Sequence, residues 1–319
     1  MSVGDLVTNN LTSPAVLAFA LGVLAVAVRG NLRLPEPVTT LLSTYLLLAI
    51  GVKGGLRLQE AEFGDMAGPI LATLVIGCVT PAVTFVAARR FARLQVVDAA
   101  SLAAHFGSVS AVTFTAAEGF AKSAGTLGEG FLPALVAILE IPGIVIALVI
   151  ANRRQNSSGF KEAVHEVLTG KSILLLIGGL VIGAIASDSG RDAVEPFFVT
   201  LFPGVLCLFL LDLGSLAAQR FEFVRKAGVR LIALAIFLPI VFGTAGVIAG
   251  SIAGLSEGGA MVLGAMAASA SYIAAPAAVR VALPEADLGV SLGAAIGVTF
   301  PFNLVMGIPL YSEISSLFA

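Results

Sequence analysis

The sequence predicts an all-α polytopic membrane protein: ten transmembrane helices in two inverted five-helix repeats, with helices 4 and 9 broken. Three observations lead there. Of 319 residues, 58% are hydrophobic and 12% charged, with a mean hydropathy of +1.01, whereas a soluble domain carries about 25% charged residues. The second half of the chain repeats the first. The positive charges fall on alternate connections between apolar runs.

A hydrocarbon core takes about 20 apolar residues per helix. Ten stretches qualify: 13–28, 36–52, 66–88, 98–117, 131–151, 172–187, 196–217, 230–252, 258–279 and 287–311. The first is not a cleavable signal peptide by its pattern, since Asp5 precedes it and the first cation, Arg29, follows it. Gly, at 35 residues, allows helices to approach closely and to break locally. Trp is absent and Tyr numbers three, so the interfacial aromatic belt is thin. Cys78 and Cys207 sit in apolar runs and are expected as small buried hydrophobes. No Cys/His pattern points to a metal, and no basic patch points to nucleic acid.

The repeat is legible residue by residue. Ser108-Val109-Ser110 is followed 161 positions later by Ser269-Ala270-Ser271. Glu36-Pro37 matches Glu195-Pro196, Gly54 matches Gly214, and Pro142 matches Pro301, at shifts of 159 to 160. With the N-terminus outside, fourteen of the eighteen cations lie on inside connections. The other four are Lys53, Arg57, Lys122 and Arg191. This bias places both termini outside. Five spans per repeat is an odd number, so the second repeat enters from the opposite side, the arrangement of alternating-access transporters. The repeats are then 1–151 and 172–319, joined by a polar cytoplasmic linker, 152–171.

Two spans carry interruptions. The fourth passes through Gly107, Ser108, Val109 and Ser110, with β-branched residues following. The ninth passes through Ser269, Ala270, Ser271 and Tyr272 and then Pro276, which is expected to distort the helix interior. Breaks at the midplane leave backbone N–H groups and positive dipole ends free for an anion. Serine hydroxyls add donors. No Arg lies in either span, which suits a small, planar, singly charged oxyanion. Small residues packing two helices closely are the bland alternative for each motif alone; their recurrence in both halves favours a substrate site.

Glu140 and Asp212 are acids inside apolar runs, where they line pathways or find partners. Glu140 stands beside Pro142, and either acid is a candidate for a coupling cation; local pairing is the alternative for Asp212. Thr113, Thr299 and Asn303 are candidate neutral oxygen ligands for Na⁺. His105 lies one turn from Ser108, but no orienting acid and no Gly-x-Ser-x-Gly elbow accompany it, so an enzyme is not expected. Glu118 and Lys122 are spaced for a helical ion pair at a helix end.

These residues together resemble the SbtA-type sodium-dependent bicarbonate transporters. The likeness rests on the paired serine segments, the Gly51-Val52-Lys53-Gly54-Gly55-Leu56 run and the Leu210-Leu211-Asp212-Leu213-Gly214 run, and it covers essentially the whole chain. It implies a fold like that of Na⁺/H⁺ antiporters and bile-acid symporters, with spans 3–5 and 8–10 as core and spans 1, 2, 6 and 7 as gate. It implies Na⁺-coupled import of bicarbonate across a bacterial plasma membrane, with the anion held by residues 107–110 and 268–272. It also implies a homotrimer and a PII-like cytosolic regulator of the SbtB type, for which the central loop is short. A Na⁺-coupled carrier of a small organic anion and a membrane-embedded ligand sensor are the competing readings.

Overall fold

The computed structural model describes residues 8, 10–58, 63–155 and 160–318. Among them every regular element is helical. Among the described residues eight helices are long and apolar enough to cross a membrane. The elements are α1 (Pro14–Ala27), α2 (Glu36–Leu58), α3 (Phe63–Arg90), α4 (Val96–Gly107), α5 (Ala111–Ala124), α6 (Leu132–Gln155) and α7 (Phe160–Thr169). They continue as α8 (Lys171–Ile185), α9 (Asp188–Glu195), α10 (Phe202–Ala227), α11 (Val229–Ile252), α12 (Glu257–Ala267), α13 (Ala274–Ala282) and α14 (Leu288–Ser316).

Each of the ten apolar stretches falls on one helix or one pair. The stretch at 13–28 forms a shorter helix of 14 residues, about 21 Å at 1.5 Å per residue. The stretch at 98–117 divides into α4 and α5, and that at 258–279 into α12 and α13. α14 contains two π-helical segments, Gly293–Thr299 and Asn303–Gly307, which shift the register around Pro301.

Capping residues set the boundaries. Ser13 accepts from the Val16 N–H (3.3 Å) and is followed by Pro14 at the first helical position. Ser110 caps α5 by accepting from the Thr113 N–H (3.1 Å), and Gly125 ends that helix in the left-handed conformation at φ 72°. Ser256 caps α12, accepting from the Gly259 N–H (3.1 Å).

The helices sort by packing. α1 lies along α10, and α2 along α8. Both pairs approach to backbone contact. A Cβ added at Gly55 would fall on the Leu180 carbonyl, and one at Gly214 on the Phe19 carbonyl. Gly183 and Gly22 occupy the reciprocal places. The remaining helices form a second set: α3 packs on α4 and α6, and α11 on α12. Leu17, Leu21 and Leu24 of α1, Leu71 and Val75 of α3, and Val181, Ile182 and Ile185 of α8 are exposed, as lipid-facing residues are.

Two expectations change, and the linker gains detail. Cys78, expected to be buried, is exposed among the lipid-facing residues of α3, because in a membrane protein an apolar run includes an apolar outer face. Pro276 does not distort a helix interior. The break comes earlier, and Pro276 lies in the first turn of α13, where its missing N–H has no intrahelical role. The polar linker contains helix α7, whose Val167 is buried and which packs on α13; residues 156–159 lie outside the described residues.

We expect Gly55→Leu and Gly214→Leu each to prevent stable folding, because the new side chain meets backbone rather than a side chain that can move. Loss of the monodisperse peak in detergent size-exclusion chromatography, with Gly178→Leu (an open position) retaining it, checks this.

Candidate functional site

The two interruptions meet. α5 packs on α12, and α13 on α4, so each helix half lies against the opposite half of the other broken helix. The Ser110 N–H donates to Ser269 Oγ (2.8 Å). The Ser271 N–H donates to the His105 carbonyl (2.7 Å). Each break thereby satisfies a backbone donor of the other, which low-dielectric surroundings require.

The four serines divide by role. Ser269 Oγ donates to the Met266 carbonyl (2.7 Å) while accepting from Ser110, so it is a cross-brace. Ser110 Oγ donates to the Tyr272 hydroxyl (3.2 Å) while capping α5. Ser271 Oγ accepts from the Ala275 N–H (3.3 Å), which leaves its own proton available. Ser108 Oγ is buried with no hydrogen-bond partner among the described residues.

A small cavity of about 10 Å³ lies at this crossing, lined by Val109, Ser110, Ala111, Ser271, Tyr272 and Ile273. Glu140 of α6, Leu47 of α2 and Ser172 of α8 complete it. Gly107, Ser108, Ser269 and Ala270 are buried beside it in the breaks but do not line it. The volume is about that of one water probe, so the site is closed in this conformation. Tyr272 is held from behind by an edge contact with Phe300 (centroids 6.0 Å apart).

Glu140 is 4% exposed, and its Oε2 has no partner among the described residues. Thr113 Oγ1 is likewise buried without one. Thr299 and Asn303 do not line the cavity. Thr299 Oγ1 donates to the Ala235 carbonyl (2.7 Å). Asn303 Nδ2 donates to the Ala268 carbonyl (2.8 Å), and Asn303 Oδ1 accepts from the Tyr311 hydroxyl (3.0 Å). Asn303 therefore satisfies a carbonyl beside the second break. Asp212 pairs locally: it takes Arg33 Nε (3.2 Å), the Leu34 N–H (2.9 Å) and the Thr39 hydroxyl (2.9 Å), tying the α1–α2 connection to α10. His105 is fully buried, with Nδ1–H donating to the Ser101 carbonyl (2.7 Å); no Ser–His pair forms.

Leu47 and Ser172 were not legible as site residues. One is a leucine in an apolar run, the other a serine beside Lys171, and only the approach of α2 and α8 to the crossing places them there.

A second, wide cavity of about 1110 Å³ opens between α2, α5 and the α11–α12 connection. Its lining includes Lys53, Arg57, Lys122 and Arg191 together with Asp65, Glu118, Glu129 and Glu195. Glu118 takes Lys122 as expected and Lys53 as well.

A membrane-embedded helical protein with two broken helices hydrogen-bonded at a buried crossing belongs to the transporter class of architectures. The sequence model of the Na⁺-dependent bicarbonate transporter superfamily matches residues 14–316, and the chain belongs to that superfamily. It is a membrane transporter, not an enzyme. No curated protein sequence matches it.

Because Ser269 braces the crossing, Ser269→Ala is expected to lower stability by about 1–3 kcal/mol, leaving the Ser110 N–H buried and unpaired. Asn303→Ala is expected to do the same through the Ala268 carbonyl. Thermal unfolding in detergent, compared with wild type, measures both.

Proposed function

We propose that the protein imports bicarbonate coupled to Na⁺ by alternating access, with the anion bound where the two broken helices cross. The observation that carries this is the small cavity lined by Ser110, Ser271 and Tyr272 with Glu140 beside it. Hydroxyl donors and the N-termini of α5 and α13 favour a small anion there. No Arg or Lys lines it, so the counter-charge comes from elsewhere. Na⁺ held by the unpartnered Glu140 oxygen, with Thr113 as a neutral ligand, would set a positive charge beside the bound anion. Each ion then raises the affinity of the other, which is the coupling a symporter needs. Thr299 and Asn303, already engaged in bracing, stay secondary candidates.

The packing supports two inverted five-helix repeats. The α2–α8 contact through Gly55 and Gly183 has its counterpart in the α10–α1 contact through Gly214 and Gly22, and these positions lie 159 to 161 residues apart. On this reading α1, α2, α8 and α10 form the gate and the rest the core. The gathering of Lys53, Arg57, Lys122 and Arg191 around one cavity supports placing all four on the outer face, with both termini outside a bacterial plasma membrane. Opening of the closed crossing toward that vestibule is then the outward-facing step. The homotrimer and the PII-like regulator rest on the family resemblance alone.

The test is uptake of labelled bicarbonate into proteoliposomes with and without an inward Na⁺ gradient. Accumulation only with the gradient is expected; no Na⁺-dependent uptake by folded protein overturns the reading. Ser110→Ala and Ser271→Ala are each expected to raise the bicarbonate KM about tenfold, the loss of one hydrogen bond to a charged group. Glu140→Gln is expected to raise the Na⁺ KM more than the bicarbonate KM, and equal effects on both would remove Glu140 from the cation site.

A further inference from the structure

The vestibule holds a cluster that the crossing does not use. At its floor Lys53 of α2 and Lys122 of α5 share a single carboxylate, Glu118. Lys122 Nζ is 2.7 Å from Glu118 Oε1, a hydrogen-bonded pair. Lys53 Nζ is 3.7 Å from Oε2, an ion pair too long for a hydrogen bond. The other neighbour of the Lys53 ammonium is the ring of Phe202, whose centroid lies 3.8 Å away. That ring attracts the charge but accepts no strong hydrogen bond.

The side chains of Lys53 and Glu118 are 16% and 9% exposed, so their charges are less screened than those at the rim. Taken by themselves these three groups carry two positive charges against one negative, in a cavity lined altogether by four cations and four carboxylates.

We propose that Lys53 and Lys122 form a vestibule site for a small monovalent oxyanion, which bicarbonate occupies before it reaches the crossing; as a step of import this rests on the reading above. One bound anion neutralises the cluster. A dianion would overcompensate it and meet repulsion from Glu118 and from the carboxylates of Asp65 and Glu195 at the rim. Glu129 is turned to the Ser256 N–H (2.5 Å) and hydroxyl (2.8 Å). Arg191 donates to the Leu56 carbonyl (2.7 Å), and Arg57 also lines the cavity; Lys53 and Lys122 are the cations at the shared carboxylate. An anion that draws Lys53 away from Glu118 also loosens a link between α2 and α5, while Lys122 keeps Glu118 paired.

Two measurements test this. In proteoliposomes, Lys53→Met is expected to raise the KM for bicarbonate offered at the vestibule face about tenfold, the loss of one charged hydrogen-bonding partner. The KM from the opposite face should stay unchanged. An unchanged KM at the vestibule face, or an equal rise at both, overturns the site. Independently of transport, nitrate and bicarbonate should slow labelling of Lys53 by a membrane-impermeant amine reagent in the detergent-solubilised protein, read by mass spectrometry, and sulfate should not. This protection should persist in the Ser110→Ala/Ser271→Ala double variant. Protection without Na⁺-dependent uptake would retain the anion site and overturn the transport reading. Uptake without protection would do the reverse.

Discussion

Everything at the centre of this molecule depends on one constraint: an interrupted helix inside a membrane must satisfy its freed backbone groups within the protein. Here each break supplies what the other lacks. Ser269 receives the Ser110 N–H, and the His105 carbonyl receives the Ser271 N–H. Neither break is stable without its partner, so the crossing is a single unit assembled from residues about 160 positions apart. The demand reaches outward to Asn303, which satisfies the carbonyl of Ala268.

The same constraint explains why the serines are not equivalent. A hydroxyl used as a cap or brace is stability, and one left with a free proton is recognition. Ser269 falls wholly in the first class. Ser271 and Ser108 retain capacity, and Ser110 stands between, its proton held by Tyr272. In the proposed cycle that Ser110–Tyr272 bond occupies the place an anion would take, which fits a cavity with room for little more than a water.

Around this unit buried Phe and Leu side chains fill the interior, while the α1–α10 and α2–α8 pairs approach to backbone contact at glycines. That is how a membrane bundle gains packing when its surroundings are as apolar as its interior. Polar side chains away from the crossing are mostly consumed in anchoring: Asp212 fastens the α1–α2 connection, and Glu129 holds the start of α12. At the crossing Glu140 keeps an unpartnered buried oxygen, and in the vestibule the Lys53 ammonium is held by charge without a hydrogen bond. The proposed transport and the proposed vestibule site each rest on one of them.

The sequence by itself determined the membrane class, the ten apolar stretches and the two interruptions, because each is a matter of local composition and spacing. Ser108 to Ser110 and Ser269 to Ser271 were legible for a further reason, their recurrence at a fixed shift. What a side chain does once placed depends on neighbours distant in the chain. Hence Ser269 became a brace, Asp212 a local anchor and Pro276 a first-turn residue, while Leu47 and Ser172 entered the cavity lining unannounced. Only the tertiary structure set Lys53 against Glu118, since an ion pair between two helices is fixed by their packing and leaves no periodic trace in either one.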